Sequence, residues 1–559
     1  MQESGCSVSV GVGGLRTESL PFSAIPGQSK LFTEYQQNPI SLKKYYPTIV
    51  SSHTEVVERI PEVLANYDTD RKLLCDALTR MNTQFGADRK TLENIDLLRA
   101  DDTVAVVTGQ QTGLFTGPLY SIYKALSAIK MSECLNGRGI KSVPVFWMAT
   151  EDHDLEEVSS AFVIGGGQEL AELRVSADES EQGRPVGRIK LDESISAVVS
   201  ELFSTLPVTA FTESLRDELE LAWQKEKTFG EAFGTFLTIL LGKYGLIVVD
   251  PLDDELKHLS APIYSDAIKH STEIVNALTA RSSKLVRDGY HAQVLVENDY
   301  FPLFWHMDDG RRVALRRSPD GLLQVKGEKT SFTETELAET ALSEPGRFSP
   351  GVMLRPVVQD NLFPTVCYFG GGAEIAYFAQ NSEVYRILDR PATPILHRQS
   401  FTIVEARHAR TLEKYELKFA DLFAGEADIL PKIVDKFIDP NTARLFADAE
   451  EKVNTELNRL DQALLQMDVT LAANLATRRR KIIYHIAALR KKYQFCRIEM
   501  DETISRRIHS AFTALLPNGS LQERTLNVTS FLGRFGPNFI DMVYDSIDLD
   551  DKGHRIIYF

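Results

Sequence analysis

Cysteine is scarce in this sequence, and the cysteines present are not spaced for a metal or a disulfide framework. The 559 residues include five of them, at positions 6, 75, 134, 367 and 496, and none forms a C-x-x-C pair. An odd, dispersed set is typical of a reducing compartment and predicts no structural zinc. Cys367 lies near a glycine-rich segment and is the one candidate nucleophile, although a free cysteine is more often simply buried.

Long apolar runs and an excess of positive charge are also missing. No run approaches the ~20 apolar residues that span a bilayer, and the first residues lack the basic and apolar regions of a signal peptide. A net charge of −16 and a pI of about 5.3 argue against a protein that coats nucleic acid. We therefore expect a cytoplasmic protein with no membrane and no nucleic-acid partner. Its length predicts two or more domains.

Two common phosphate-binding motifs are absent as well. There is no G-x-x-x-x-G-K-[ST], because Lys124 lies well inside a predicted helix, and there is no G-x-G-x-x-G. The sequence therefore predicts neither a P-loop nor a standard dinucleotide fingerprint.

In place of those motifs, residues 104–130 read VAVVTGQQTGLFTGPLYSIYKALSAIK. The β-branched start predicts a strand buried on both faces, and the apolar spacing after Pro118 predicts a helix. Between them, Gly109, Gly113 and Gly117 allow a tight turn that could approach a ligand closely, and the N-terminus of a helix is a natural anion site. An ordinary strand-to-helix connection and a ligand-binding loop both remain open.

A second buried-strand pattern, residues 143–148, ends in an acidic cluster with a histidine. Ligands bind beyond the carboxyl ends of strands in open α/β sheets. We predict that Asp152, His153 and Asp154 are catalytic, with His153 moving a proton and a neighbouring carboxylate orienting it and raising its pKa. The carboxylates could instead bind Mg²⁺ or a substrate ammonium group, or the segment could be a solvated strand end with Asp154 capping a helix.

Two further strand patterns follow, over residues 246–250 and 363–369. The second enters three consecutive glycines and then a helix whose first turn holds Glu374, where a carboxylate is favoured by the helix dipole. Upstream, Arg355 lies in a Pro-flanked loop and could clamp a carboxylate or a phosphate, or form a structural salt bridge. Turn residues between alternating runs predict hairpins over residues 293–330.

Beyond Arg398 the composition becomes that of a helical arm. Asp439 and Pro440 form a clear helix start. Apolar residues then follow a heptad pattern with a stutter, at Val453, Leu457, Leu460, Leu464, Met467 and Leu471, and again from Ile482 to Met500. The pattern predicts either a helical hairpin within one chain or a dimer seam, with a helix over residues 404–423 as a further partner. The helix should stop near Pro517.

Several long motifs occur in an order that resembles the cysteine-adding enzymes of bacillithiol biosynthesis. They are TGQQTGLFTGPLY (108–120), PVFWMATEDHD (144–154), RPVGRI (184–189), FSPGVMLRPVVQD (348–360), FGGGAEIAYFAQ (369–380) and LPNGSLQER (516–524). The resemblance implies addition of L-cysteine to glucosaminyl-malate, with an amide bond between the cysteine carboxylate and the sugar amine. It also implies a homodimer formed through the arm.

The resemblance further implies an α/β fold: a Rossmann-type, mainly parallel sheet core similar to class I aminoacyl-tRNA synthetase catalytic cores, with α/β insertions and a C-terminal coiled-coil arm. Amide formation from a free carboxylate is uphill, so we expect ATP or ADP as cofactor and consider Mg²⁺. No K-M-S-K-S-like lysine loop is present, so the energy source stays open. A nucleotide-binding scaffold protein and a nucleotidyl- or glycosyltransferase of similar fold are the alternatives.

The predicted boundaries are a disordered lead over residues 1–17, a core over 18–400 with insertions at about 160–235 and 285–345, an arm over 401–516, and a segment over 517–559 that packs back on the core. The residues expected to bind substrate or nucleotide are Thr108, Gly109, Gln110, Gln111, Thr112, Gly113, Thr116, Gly117, Tyr120, Lys124, Arg355, Gln359, Gly370, Gly371, Gly372, Glu374 and Tyr377.

Overall fold

The computed structural model describes residues 7–10, 16–50, 52–176, 181–297 and 299–559. The strands are β1 (Ser7–Val10), β2 (Arg16–Leu20), β3 (Val104–Gln110), β4 (Ser142–Met148), β5 (Ser160–Ile164), β6 (Leu170–Arg174), β7 (Ile247–Val249), β8 (Leu303–His306), β9 (Arg312–Arg317), β10 (Leu323–Val325), β11 (Ser331–Phe332), β12 (Phe348–Pro350), β13 (Thr365–Gly370), β14 (Ile395–His397), β15 (Phe401–Val404) and β16 (His554–Tyr558).

The α-helices are α1 (Lys30–Gln37), α2 (Ile60–Ala65), α3 (Arg71–Gln84), α4 (Arg89–Leu98), α5 (Tyr120–Asn136), α6 (Leu155–Val158), α7 (Ser194–Thr205), α8 (Thr212–Ala222), α9 (Phe229–Leu241), α10 (Asp254–Lys269), α11 (Ser271–Arg287), α12 (Glu334–Ser343), α13 (Arg355–Leu362), α14 (Gly372–Ile387), α15 (Ala406–Lys414), α16 (Glu426–Ile433), α17 (Pro440–Met467), α18 (Val469–Met500), α19 (Glu502–Leu515), α20 (Gln522–Thr525), α21 (Thr529–Phe535) and α22 (Asn538–Asp545). Within the described ranges, no helix is both long and apolar enough to cross a membrane.

The chain divides into two compact units. The first comprises Met1–Thr402 and Gln522–Arg555, and the second comprises Ile403–Leu521 and Ile556–Phe559. The prediction of a disordered lead over residues 1–17 is wrong at its strands, because β1 pairs antiparallel with β2. The alternating sequence of residues 7–10 has the two-residue period of a strand but is too short to stand out. The rest of that lead, residues 1–6 and 11–15, lies outside the described residues.

A five-stranded sheet in the order β14-β13-β3-β4-β7 forms the centre of the first unit. Every neighbouring pair in it is parallel. Residues 104–107 and 143–148 are buried, as the β-branched runs predicted for strands covered on both faces. Helix α5 packs on β3 and β4. The predicted mainly parallel Rossmann-type sheet is thereby present. The glycine-rich and acidic segments follow the carboxyl ends of its strands.

A second five-stranded sheet, in the order β11-β10-β9-β8-β12, is antiparallel. It contains the hairpins predicted over residues 293–330, with turns at Gly310 (φ 90°) and Gly321 (φ 87°), where a residue other than glycine would be strained. The last strand of this sheet, β12, leads directly towards α13. The insertion therefore reaches the same region of the unit as the ends of the parallel strands.

The second unit contains a helical hairpin made by α17 and α18, which pack along each other. The turn lies at Asp468, whose side chain accepts from the Thr470 amide at 2.7 Å and starts α18. Arg479 of α18 donates to the side-chain oxygen of Asn458 of α17 at 2.7 Å. The hairpin alternative is thus present. The single helix expected over residues 404–423 is wrong, since α15 ends at Lys414 and a 3₁₀ segment covers Phe419–Ala424.

Candidate functional site

A cavity of about 570 Å³ lies in the first unit, where β3, β4 and β13 end. That volume is in the range of small-molecule sites. Its walls combine six Tyr, Trp and Phe side chains with both signs of charge. The lining residues are Gly109, Gln110, Gln111, Tyr120, Lys124, Trp147, Ala149, Glu151, Asp152, His153, Tyr300, Phe304, Arg312, Pro350, Gly351, Val352, Arg355, Tyr368, Gly371, Gly372, Ala373, Glu374, Tyr377, Arg398 and Arg524.

Lys124 ties the end of β3 to the helix α14. It is buried, and its ammonium donates to the carbonyl oxygen of Gly109 at 2.9 Å and to the side-chain oxygen of Gln110 at 2.8 Å. It also forms an ion pair with Glu374. Burial lowers the pKa of Lys124, because an ammonium away from water loses its hydration. Lys124 therefore shapes the cavity wall by three contacts within the protein.

Glu374 holds the other side of that wall. Its carboxylate accepts from the Gly371 amide at 2.7 Å and from the Tyr368 hydroxyl at 2.7 Å. Burial by itself would raise the pKa of this carboxyl, but the Lys124 charge and the donated hydrogen bonds hold it below its ordinary value. A side chain at Gly370 would place its Cβ 2.8 Å from Ile395 Cδ1. Packing therefore requires that glycine, whereas Gly371 faces the cavity.

Arg355 is the first residue of α13 and does not lie in a loop, which corrects the sequence prediction. Its guanidinium donates to the Gln359 side-chain oxygen at 2.9 Å and to the Tyr377 hydroxyl at 3.2 Å. It lies 5.4 Å from the centroid of the Tyr368 ring. No carboxylate in the described part of the chain forms an ion pair with it. The cavity thus contains a positioned guanidinium whose charge is free to meet an anion.

His153 and Asp152 also line the cavity, and Asp152 adds a negative charge. The Asp152 carboxylate accepts from the His153 amide at 2.8 Å and from the Gln111 side chain at 2.8 Å. The nearest approach of that carboxylate to His153 Nδ1 is 3.8 Å, beyond hydrogen-bond distance. Instead, His153 Nδ1 lies 3.2 Å from a guanidinium nitrogen of Arg312. The ring is therefore oriented by an arginine.

The expectation that a carboxylate raises the pKa of His153 is wrong. Burial lowers this pKa, and the positive charge of Arg312 lowers it further, against the smaller opposing effects of Asp152 and Asp154. His153 is consequently neutral near pH 7. Asp154 does not line the cavity, and its carboxylate caps α6 by accepting from the Glu157 amide at 3.1 Å.

The second half of the glycine-rich turn is not part of the cavity wall. An added Cβ at Gly113 would lie 2.7 Å from the Gly117 Cα, so these two glycines pack against each other. The buried Asn527 amide donates to the carbonyl oxygens of Phe115 at 2.9 Å and Gly117 at 2.7 Å. The turn is thereby held by a residue of the C-terminal segment, and its glycines serve the fold.

Other predicted site residues also stay away from the cavity lining, which does not include Thr108, Thr112, Thr116, Gln359 or Gly370. The Thr108 hydroxyl donates to the Phe369 carbonyl at 2.8 Å, and so joins β3 to β13. Cys367 is fully buried in β13, and burial raises the pKa of its thiol, which disfavours the reactive thiolate. Over the described ranges, no group of three or more metal-ligating side chains is placed to hold a metal ion.

Sequence reasoning missed several charged residues of the cavity. Glu151 is buried and forms an ion pair with Lys257, which also donates to the Phe348 carbonyl at 2.7 Å. Arg398 pairs with the buried Glu523 at 2.7 Å, whereas Arg524 has no ion-pair partner in the described part of the chain. Glu151 lies within one quoted motif and Arg524 ends another, which was a usable signal. Nothing local marked Arg312 or Lys257.

Two family models match the chain. The model described as "Bacillithiol biosynthesis BshC, N-terminal Rossmann-like domain" matches residues 15–399. The model described as "Bacillithiol biosynthesis BshC, C-terminal coiled-coil domain" matches residues 401–559. These matches confirm the predicted fold class of a Rossmann-like core followed by a coiled-coil domain.

Relatives match over nearly their full length. A protein of Koribacter versatilis named "Putative cysteine ligase BshC" is 32% identical over 545 residues, which cover 97% of this chain and 99% of the relative. A protein of the same name from Salinibacter ruber is 32% identical and covers 96% of this chain and 97% of its own length. A solved structure from Campylobacter jejuni described as a "putative arginyl t-RNA synthetase" matches with 10% identity and a TM-score of 0.22, covering 82% of this chain and 99% of its own. That score is too low to support an argument.

Proposed function

The chain belongs to the BshC family of bacillithiol biosynthesis, and on that premise we propose that it is a cysteine ligase. In this proposal it joins the carboxylate of L-cysteine to the amine of glucosaminyl-malate and so completes the thiol. The observation that carries the proposal is a single cavity that combines an unneutralised guanidinium, Arg355, with an acidic group, Asp152, beside a neutral histidine.

The charges of the cavity suit the charges of the two substrates. The malyl group of glucosaminyl-malate carries carboxylates, and the planar fork of Arg355 can bind one of them through two parallel hydrogen bonds. Arg524 supplies a second cation on the same lining. The ammonium group of cysteine requires a carboxylate, and Asp152 is the carboxylate of the lining that is not already in an ion pair with a lysine or arginine.

Nucleotide dependence is part of the proposal, because an amide does not form from a free carboxylate without activation. The glycine segments do not fit a phosphate in the way we expected. Glu374 lies in the first turn of α14, and its carboxylate accepts the hydrogen bond of the Gly371 amide. A second anion at this helix start would therefore be repelled. Gly113 and Gly117 are packed against each other. Among the cations of the lining, Arg355 and Arg524 could meet an anionic co-substrate.

The proposal is tested with the purified protein, L-cysteine and glucosaminyl-malate, with and without ATP and Mg²⁺. We expect a new thiol with the mass of the condensed product, measured by liquid chromatography and mass spectrometry after thiol labelling. Arg355→Gln should raise the KM for glucosaminyl-malate by about 10- to 100-fold, the loss of one charge-assisted contact. Arg347→Gln is the matched control, since Arg347 pairs with Asp308 on the surface. No product under any nucleotide condition would refute the proposal.

A further inference from the structure

Arg312, on the insertion strand β9, is buried and has its guanidinium fully committed. Its Nε donates to the Ser349 hydroxyl at 2.8 Å, and its Nη2 donates to the Pro350 carbonyl at 3.0 Å. The guanidinium lies 3.7 Å from the centroid of the Phe304 ring. With two nitrogens and one face fixed in this way, the third nitrogen has a fixed direction. That nitrogen, Nη1, lies 3.2 Å from Nδ1 of His153.

The chemistry of this contact determines where the proton of the imidazole lies. An arginine side chain has only donors, so the His153 nitrogen in contact with it must accept. A neutral imidazole has one nitrogen that accepts and one that donates. With Nδ1 accepting from Arg312, the proton of the ring lies on Nε2. No carboxylate competes for Nδ1, because the nearest Asp152 oxygen is 3.8 Å away.

We propose that Arg312 is a positioning residue that holds His153 as the Nε2–H tautomer, so that His153 acts in the cavity as a hydrogen-bond donor and not as a general base. A general base needs a free lone pair, and the only lone pair of the neutral ring points at Arg312. The donor would serve an acceptor on the substrate, such as a carboxyl or carbonyl oxygen. This inference rests on the proposed function only for the identity of that acceptor.

The groups around His153 agree with this assignment. Asp152 and Asp154 flank His153 in its own turn, and Arg312 faces it from β9. The centroid of the Phe304 ring, on β8, lies 6.0 Å from the centroid of the His153 ring. The net effect of burial and of Arg312 lowers the pKa of His153. Protonation would turn Nδ1 into a donor facing a donor. The arrangement therefore disfavours the protonated ring.

The first test is made on the wild-type full chain and needs no substrate. Deuterated protein labelled with ¹⁵N-histidine is followed by NMR as the pH is varied, and His153→Gln identifies the resonance among the 11 histidines. We expect the Nε2–H tautomer and a midpoint below 6.5. An Nδ1–H tautomer, an even mixture of tautomers or a midpoint above 6.5 would overturn the proposal.

The second test uses variants of Arg312. Arg312→Gln removes the charge and the fixed donor, so the His153 midpoint should rise, and the acidic limb of the pH–activity profile should rise with it. Arg312→Lys keeps the charge but not the planar fork, so the midpoint should stay low while kcat falls. Arg311→Gln is the matched control, because Arg311 is exposed and pairs with Asp309 at 2.7 Å. A midpoint that does not move in Arg312→Gln contradicts the proposal.

The outcomes separate this inference from the proposed function. If Arg312→Gln does not fold, the tautomer and the midpoint of the wild-type protein still decide the question. If the wild-type protein shows the expected tautomer but makes no thiol product from cysteine, the assignment of His153 as a donor stands and the ligase proposal fails.

Discussion

Replacing Lys124 with methionine removes the cation of a buried ion pair that forms one wall of the cavity. Lys124 is 2% exposed, and methionine has a similar length and no charge. The change deletes the contacts to the Gly109 carbonyl and the Gln110 side chain. More importantly, it leaves the Glu374 carboxylate without its counter-ion, with only the Tyr368 hydroxyl and the Gly371 amide as donors.

The expected loss in the free energy of unfolding at pH 7 is about 3–5 kcal/mol, the usual cost of leaving one partner of a buried pair uncompensated. Neutralising the remaining partner should recover much of it, so Lys124→Met/Glu374→Gln should be more stable than Lys124→Met alone. The stability difference between the wild type and Lys124→Met should also depend on pH. In the wild type the pKa of Glu374 is below its ordinary value, so the pair stabilises above the unfolded-state pKa and this stability is lost as the pH falls. Without Lys124, burial raises that pKa, so the deficit should shrink as the pH falls towards 4–5, about the ordinary carboxyl range.

Urea unfolding followed by tryptophan fluorescence is a suitable assay. The three tryptophans are Trp147, Trp223 and Trp305, all in the first unit, so the signal reports that unit and not the arm. Lys141→Met is the matched control. Lys141 pairs with Asp102 at 2.9 Å with both side chains about half exposed or more, and its loss should cost less than about 1 kcal/mol. Equal stability of the Lys124 and Lys141 variants would refute the argument that burial makes the first pair costly to break.

Three further predictions follow from the site and the arm. His153→Ala should lower turnover by about 10²–10³-fold in a thiol-product assay with an unchanged circular dichroism spectrum, and near-wild-type turnover would remove His153 from the mechanism. Gly113→Val should lower the melting temperature, because its Cβ would meet the Gly117 Cα at 2.7 Å; unchanged melting would show that the turn can relax. Leu460→Glu/Leu465→Glu should shift sedimentation from dimer to monomer, since both side chains are about half exposed on the hairpin, and a monomeric wild-type protein would contradict dimerisation through the arm.

The exposed apolar side chains of the hairpin are not all residues of the heptad pattern. Leu464 belongs to the pattern and is partly buried, whereas Leu465 lies outside the pattern and is 51% exposed. An apolar stripe in a sequence indicates that one face of a helix is covered. It does not say whether the cover comes from the same chain or from another one.

Local sequence patterns were sufficient for the central parallel strands, for the start of α17 and for the family. The β-branched run at residues 104–107 and the apolar run at 143–148 are typical of strands that are buried on both faces. Each of these patterns lies within a few consecutive residues, so it can be recognised from the sequence. The Asp439–Pro440 start of α17 is equally local. The long motifs then placed the acidic cluster and the triple glycine at one sheet edge, because parallel strands bring their carboxyl ends together.

Only the tertiary structure decided which side chains meet and with what charge. Arg312 reaches His153 across 159 residues and reverses the expected direction of the histidine pKa shift. Asn527 holds the turn at Gly117 from 410 residues away, so contacts within the protein fix the half of the predicted ligand loop that does not line the cavity. Such contacts are absent from sequence patterns because a hydrogen bond or an ion pair depends on distances of a few ångström between atoms. Those distances are determined by the packing of insertions and terminal segments against the sheet, which no local periodicity records.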